Sequence, residues 1–519
     1  MNTKPIDYSV FGLLTAAALV STGCFVGGDS LLGGTEGSDD GASDESGGSD
    51  DLGDAESDGV DDGADDSDDN ATPEPAEGNA LVRVIHGSPD APAVDVYVEG
   101  SDEPVIAGLA YTETSEWIEV PEGDYNFQVR AAGSPSTETP VYETGALALE
   151  DGAAVSALAA GLLGGEGDHA FRVLPLVEDW DNALADQARV RIVHASADAP
   201  TVDIDVHVDG EIEIAGLGRF GETGPDGVGL PADQSLRVGF VAEGELATSV
   251  TTPRFGAGDE VILIATGLLS SLSRQDDGFS VLAVGPEGTI GVFGQDPEVV
   301  ALHASPDVGE IDVCAGDTLL ASHITFGQLA GARVSPGTYE VALYASPSNC
   351  GGEPLVTDST GELEAGQRYL AVATGELAPA PGEPPLQVVP YQEHFSLDQG
   401  DDAALRLAHG ASAPEVDVGV VTGGAIEGGN LLMEGLKWPE LGDEFFLQPL
   451  TYQIGLAPAG SGLPATPVAS FHVPAEAGTR GWVLAAGDLT PETTEAPFRL
   501  LVVDTTPSPW VVTELLPNG

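Results

Sequence analysis

Positive charge is what this sequence has least of: 16 Lys and Arg stand against 86 Asp and Glu in 519 residues, a formal net charge of −70. Such a surface repels phosphate, which argues against nucleic acid and anionic lipid headgroups as partners. Methionine is nearly absent, with two residues, and helix formers are sparse. Glycine (69) and proline (37) are abundant, a balance that favours strands and turns. No apolar run is long enough to cross a bilayer as a helix. There is no G-x-S-x-G elbow, P-loop, H-E-x-x-H or CxxC pair, so none of those chemistries announces itself.

What is present begins with a targeting signal. Phe11 to Val20 reads FGLLTAAALV, a short apolar run followed by Ser21-Thr22-Gly23-Cys24. This resembles a bacterial lipobox, although Ser21 stands where Leu is usual. The expectation is a lipoprotein-type signal over residues 1–23, with lipidation of Cys24 as the route to the membrane. Residues 24–78 form the next segment. Between Gly27 and Gly78 there are 19 acids and no Lys or Arg. Such a segment cannot bury enough apolar surface to fold and repels itself, so an extended, disordered tether is expected. The regular ligand spacing of a calcium loop is missing, leaving diffuse attraction of counterions.

Downstream, one pattern returns four times. It reads LVRVIHGSPDAPAVDVYVEG from Leu81, ARVRIVHASADAPTVDIDVHVDG from Ala188, VVALHASPDVGEIDVCAGD from Val299 and ALRLAHGASAPEVDVGVVTG from Ala404. The histidines His86, His194, His303 and His409 lie 108, 109 and 106 residues apart. A turn carrying a tyrosine follows at Tyr125, Tyr339 and Tyr452, with Leu236 in its place in the second copy. Each copy then has an apolar strand running into Gly, and a final strand. Units of about 100 residues with short strands and frequent turns suit a sandwich with its own core. The fold class is therefore all-β: four tandem antiparallel, immunoglobulin-like β-sandwiches at 79–181, 187–292, 297–395 and 402–507. Linkers are expected near 182–187, 293–297 and 396–402.

The turn tyrosine looks like the tyrosine corner of immunoglobulin-like domains. The repeat resembles the bacterial and archaeal domain-of-unknown-function family 4397, whose H-[AG]-S-P-D-A-P-x-V-D-V opening is matched at His86–Val96. The fourth copy departs from it, since Asp417 follows its histidine by eight residues and not nine. The resemblance implies an exported setting and a β-rich domain, with no established reaction.

Alternation along the strand puts Val82, Val84 and His86 on one face, and the other copies repeat this. The histidine is thus expected to face the core, and Asp95, Asp203, Asp312 and Asp417 to face outward. That argues against a catalytic or metal-binding pair and for a histidine whose ring bonds the S-P-D-A-P turn. Arg83, Arg191 and Arg406 fall on the outward face three residues before their histidines, and are expected to pair across the sheet with Asp95, Asp203 and Asp417. Val300 breaks this pattern in the third copy. Asp203, Asp205, His207 and Asp209 would share one outward face, weak candidates for a divalent cation against a solvated acidic strand. Cys314 and Cys350 are expected to form a disulfide. The functional expectation is a non-enzymatic envelope protein without cofactor, binding a surface protein or polysaccharide or acting as a spacer. A hydrolase with one specialised repeat, or a cation-binding protein, is the alternative.

Overall fold

A computed structural model describes residues 3–5, 72–180, 186–489 and 496–518. Cys24 and most of the signal and tether lie outside the described residues. Thr3–Pro5 runs antiparallel beside Val511–Leu515.

Among the described residues the regular structure is strand apart from one 3-10 turn, Gly167–His169. The first repeat shows the plan. Its eight strands, called first to eighth below, are Asn79–His86, Val94–Val98, Ile106–Leu109, Ile118–Pro121, Gly123–Ala131, Tyr142–Leu149, Ala154–Ala160 and Arg172–Val177. The fourth, first, seventh and eighth make one sheet, and the third, second, fifth and sixth make the other. The same two-sheet plan recurs three times, beginning at Gln187–His194, Glu298–His303 and Ala403–His409. The second repeat adds a ninth strand, Gly288–Gly294, and the fourth adds Val511–Leu515, past the end expected from the sequence. One pairing departs from an all-antiparallel sandwich: in every repeat the first strand runs parallel to the seventh.

The in-facing rows fill a core within each repeat, as with Val82, Val96, Phe127 and Val155 in the first. The out-facing rows of the first sheet are buried too. Ile85, Leu158, Ala160 and Leu176 of the first repeat pack on Val193, Ile262, Ile264, Leu282 and Val284 of the second. Val300, Leu302, Leu370 and Val372 of the third pack in the same way on Ala408, Trp482, Leu484 and Leu501 of the fourth. The repeats therefore pair sheet to sheet, first with second and third with fourth. A sheet covered on both faces buries every position, as in Ala154–Ala160, whose one polar residue, Ser156, bonds Arg83 and Glu178.

The junction between the pairs is polar. Asp296, 1% exposed, accepts from Arg237 Nε (2.7 Å), Ser249 Oγ (2.6 Å) and Thr251 Oγ1 (2.7 Å). Arg237 also donates to the Arg333 carbonyl at 2.7 Å. Arg274 reaches from the second repeat to Glu393 (3.3 Å) and the Phe395 carbonyl (2.6 Å) of the third. The segment expected as a linker at 293–297 is thus a buried, bonded junction.

Candidate functional site

The recurring polar residues converge on the histidine loop. Each ring is buried and its Nε2 donates to the carbonyl that closes the loop: His86 to Pro92 (3.1 Å), His194 to Pro200 (2.8 Å), His303 to Gly309 (2.8 Å) and His409 to Pro414 (3.2 Å). A carbonyl only accepts, so the rings carry their proton on Nε2. Nδ1 then accepts, from the Ser88 amide (3.4 Å) and the Ser305 amide (3.3 Å) in the first and third repeats. Burial pushes all four rings below the ordinary histidine range, against a smaller opposing pull from the carbonyls.

Two further residues of the loop form a clasp. Ser88 Oγ donates to the Gly161 carbonyl, Ser196 to Gly267 and Ser305 to Gly375, at 2.7, 2.8 and 2.7 Å. Asp90 takes the amides of Leu163 (2.7 Å) and Gly164 (3.0 Å), Asp198 those of Leu269 and Ser270, and Asp307 those of Leu377 and Ala378. The clasped glycines have φ of +82°, +75° and +84°. A Cβ there would collide with the carbonyls of Ala170, Gly278 and Pro385, so the Gly that ends each apolar strand is required twice over. The fourth repeat lacks the Ser and Asp, and the Ser412 amide bonds the Gly487 carbonyl in their stead.

The second-strand aspartates hold backbone. Asp95 takes the amides of Gly108 (2.7 Å) and Gly133 (2.8 Å), and Asp417 those of Gly435 (2.9 Å) and Gly460 (3.2 Å). Asp203 takes Gly216 at 2.6 Å. Gly108, Gly216 and Gly435 sit at bulges with φ near +70°. Asp312 accepts from His323 (3.1 Å) and Ser348 (amide 2.7 Å, hydroxyl 2.8 Å). Burial alone would raise its pKa, but these donors hold it down at about 2. The three tyrosine hydroxyls each donate four residues back: Tyr125 to Pro121, Tyr339 to Ser335 and Tyr452 to Gln448. Leu236 is buried in the core of the second repeat.

The expected Arg–Asp pairs do not form. The first and second strands belong to different sheets, and the outward face is an interface between repeats. Arg83, 1% exposed, binds Glu178 (2.8 Å), Ser156 (2.7 Å) and, across the interface, the Gly285 carbonyl (2.7 Å), with Trp117 stacked on it at 4.3 Å. Arg191 binds Glu222 and crosses to the Val177 carbonyl (2.5 Å). Arg406 lies over Phe395 at 5.8 Å. In the third repeat Val300 joins the Trp482 and Trp510 cluster, so this pairing uses aromatic packing where the first uses arginine. The partners Glu178 and Glu222 left no signal in the repeat alignment.

Asp203, Asp205, His207 and Asp209 do not share a strand face. The strand ends at Val206, and His207 and Val208 have φ of +86° and +56°. Asp205 instead takes the amides of Asp209 (3.1 Å) and Gly210 (2.9 Å). Among the described residues no three His, Cys, Asp or Glu side chains gather to hold a metal ion. Cys314 and Cys350 are joined in a disulfide across 36 residues.

These loops and sheets match a known sequence pattern. DUF4397, a domain of unknown function, is present in two copies, at residues 80–205 and 297–419. Each DUF4397 match covers one whole repeat and continues into the second strand of its face-to-face partner. No curated protein matches the chain. Among solved structures, the Bacillus anthracis TIE protein is similar at 10% identity with a TM-score of 0.14, over 79% of this chain and 66% of that one. The chain thus spans just under two thirds of that protein's length, and the likeness carries no argument about function.

Proposed function

We propose that this protein is a non-enzymatic, exported envelope protein: lipid-anchored at Cys24, held off the membrane by its acidic segment, and acting as a stiff surface spacer. The observation that carries this is the double burial of the paired sheets, reinforced by the bonded junction at Asp296. Four domains locked in this way resist bending where domains on free linkers would swing. The histidines and second-strand aspartates support a non-catalytic reading, since each ring's Nε2 and each carboxylate bonds backbone and they do not converge in a cleft. The Cys314–Cys350 disulfide fits a compartment outside the reducing cytosol. Among the described residues Phe446 is the single exposed Phe, Tyr or Trp side chain, which favours spacing over a stacking platform for polysaccharide.

Two measurements test this. Palmitate incorporation in a bacterial host should be lost in Cys24→Ser, and labelling that survives the substitution removes the anchor. Spin labels at Asp102→Cys and Ser461→Cys, in a Cys24→Ser background, should give one narrow distance distribution. A broad one would remove the stiff spacer.

A further inference from the structure

The third repeat is hollow. A cavity of about 60 Å³ lies between its two sheets, where the second repeat has about 10 Å³. The cause is in the in-facing rows. Ala301 lies beside Ala371 on the parallel pair, at the register where Ile192 lies beside Leu263 and Leu407 beside Val483. On the other flank Ala332 faces Val299, where Ile118, Val228 and Phe445 face the corresponding residues of the other repeats. Three alanines thus stand at positions filled elsewhere mostly by larger side chains, and the ring of Tyr369 fills only part of the space. Ala301 and Ala330 are only half-buried although they face the core, and Ser359 and Pro390 on the lining are exposed, so the cavity communicates with solvent.

The polar groups on the lining are already engaged. His303 uses Nε2 on Gly309 and Nδ1 on Ser305, Tyr339 donates to Ser335, and Asp358 takes the Val388 amide at 2.8 Å. With no polar anchor on offer, a guest is retained by exclusion from water alone, which selects hydrocarbon. At roughly 10–15 Å³ for each water-sized sphere, the space takes about four to six heavy atoms. The acidic surface around it disfavours an anionic head. This same repeat carries the Cys314–Cys350 disulfide, a kind of cross-link that stabilises a fold independently of its core packing. We infer that the third repeat is a binding site for the end of an alkyl chain on an uncharged head.

The test is calorimetric titration of the purified full chain with n-alkanols from propanol to octanol. Affinity should rise about fourfold per added methylene until the cavity is full, then level off. Ala371→Leu should weaken binding at least tenfold, and Ala301→Val, which restores the side chain of the first repeat, should weaken it several-fold should the larger replacement misfold. Absence of alkanol binding by the wild type overturns the inference, and so does binding that persists unchanged in a folded cavity-filled variant.

Discussion

Acid should loosen this fold through its four histidines. Each ring is buried, donates from Nε2 to a loop carbonyl, and is pushed below the ordinary range by that burial. Arg219 pushes His194 down further, and Glu113 pulls His86 slightly back. An unfolded ring titrates near pH 6.5. Below that, the unfolded chain binds protons that the folded chain refuses. Stability is therefore complete above about pH 6.5 and is lost as pH falls toward the folded values. Within that window each ring contributes a slope of up to about 1.4 kcal/mol per pH unit. The acidic surface works in the opposite sense, because protonating carboxylates relieves repulsion, so the wild-type profile alone is ambiguous. His194→Gln separates the two, since it keeps an amide donor for the Pro200 carbonyl and cannot titrate. His194 is an informative ring because its buried Nδ1, like that of His409, has no hydrogen-bond partner, and a proton there adds an unsatisfied donor. Urea unfolding midpoints at pH 8 and 5.5 should fall more in the wild type than in the variant. Parallel falls would refute a neutral, Nε2-protonated ring.

Three other perturbations address the clasp, the interface and the cross-link. Gly267→Ala places a Cβ against the Gly278 carbonyl at φ +75° and should cost more than about 2 kcal/mol, read as a drop in melting temperature; an unchanged melt removes the close approach. Arg83→Met strands the buried Glu178 and should cost about 3–5 kcal/mol, whereas Arg83→Met with Glu178→Leu should recover most of it; additive losses in denaturant titration would contradict a paired interface. Reduction of Cys314–Cys350 should destabilise the third repeat by about 2–4 kcal/mol, and identical melts with and without reductant would count against that.

The sequence made the repeats and their strands visible because alternation and turn chemistry are local. The histidine's role was legible for the same reason: its partner lies five or six residues away. The arginine partners were not legible. Arg83 and Glu178 are 95 residues apart, and the pairing of Arg83 with Asp95 assumed that consecutive strands share a sheet. The chain crosses to the second sheet between His86 and Val94, which alternation alone does not reveal. An outward face that carries Arg–Asp pairs follows only for a lone sandwich, which needs one apolar row per sheet. Leu158 and Ala160 in the outward row of Ala154–Ala160 carried the contrary signal, since an exposed face would place polar residues there.

The pairing of repeats has a counterpart in the motif, at two positions that look interchangeable. After the loop histidine stands Gly87 in the first repeat and Gly410 in the fourth, but Ala195 and Ala304 in the second and third. Before the clasped glycine stand Ala160 and Ala486 in the first and fourth, but Thr266 and Thr374 in the second and third. Thr266 donates to the Gly87 carbonyl at 2.8 Å and Thr374 to the Gly410 carbonyl at 2.5 Å, each across a sheet-to-sheet interface. A Cβ on Gly410 would come within 3.1 Å of the Thr374 hydroxyl and closer still to Leu484, whereas a Cβ on Gly87 would be tight against Leu158 and the Ala159 carbonyl and in ordinary contact with the Thr266 hydroxyl at 3.7 Å. Each interface thus joins one glycine-type repeat to one threonine-type repeat, in the chain order glycine, threonine, threonine, glycine. Two glycine-type repeats face to face would leave both carbonyls without the threonine donor. The Gly and Ala residues after the histidine thus track with the pairing of the sheets, and the second and third repeats, both of threonine type, are joined through the polar junction at Asp296.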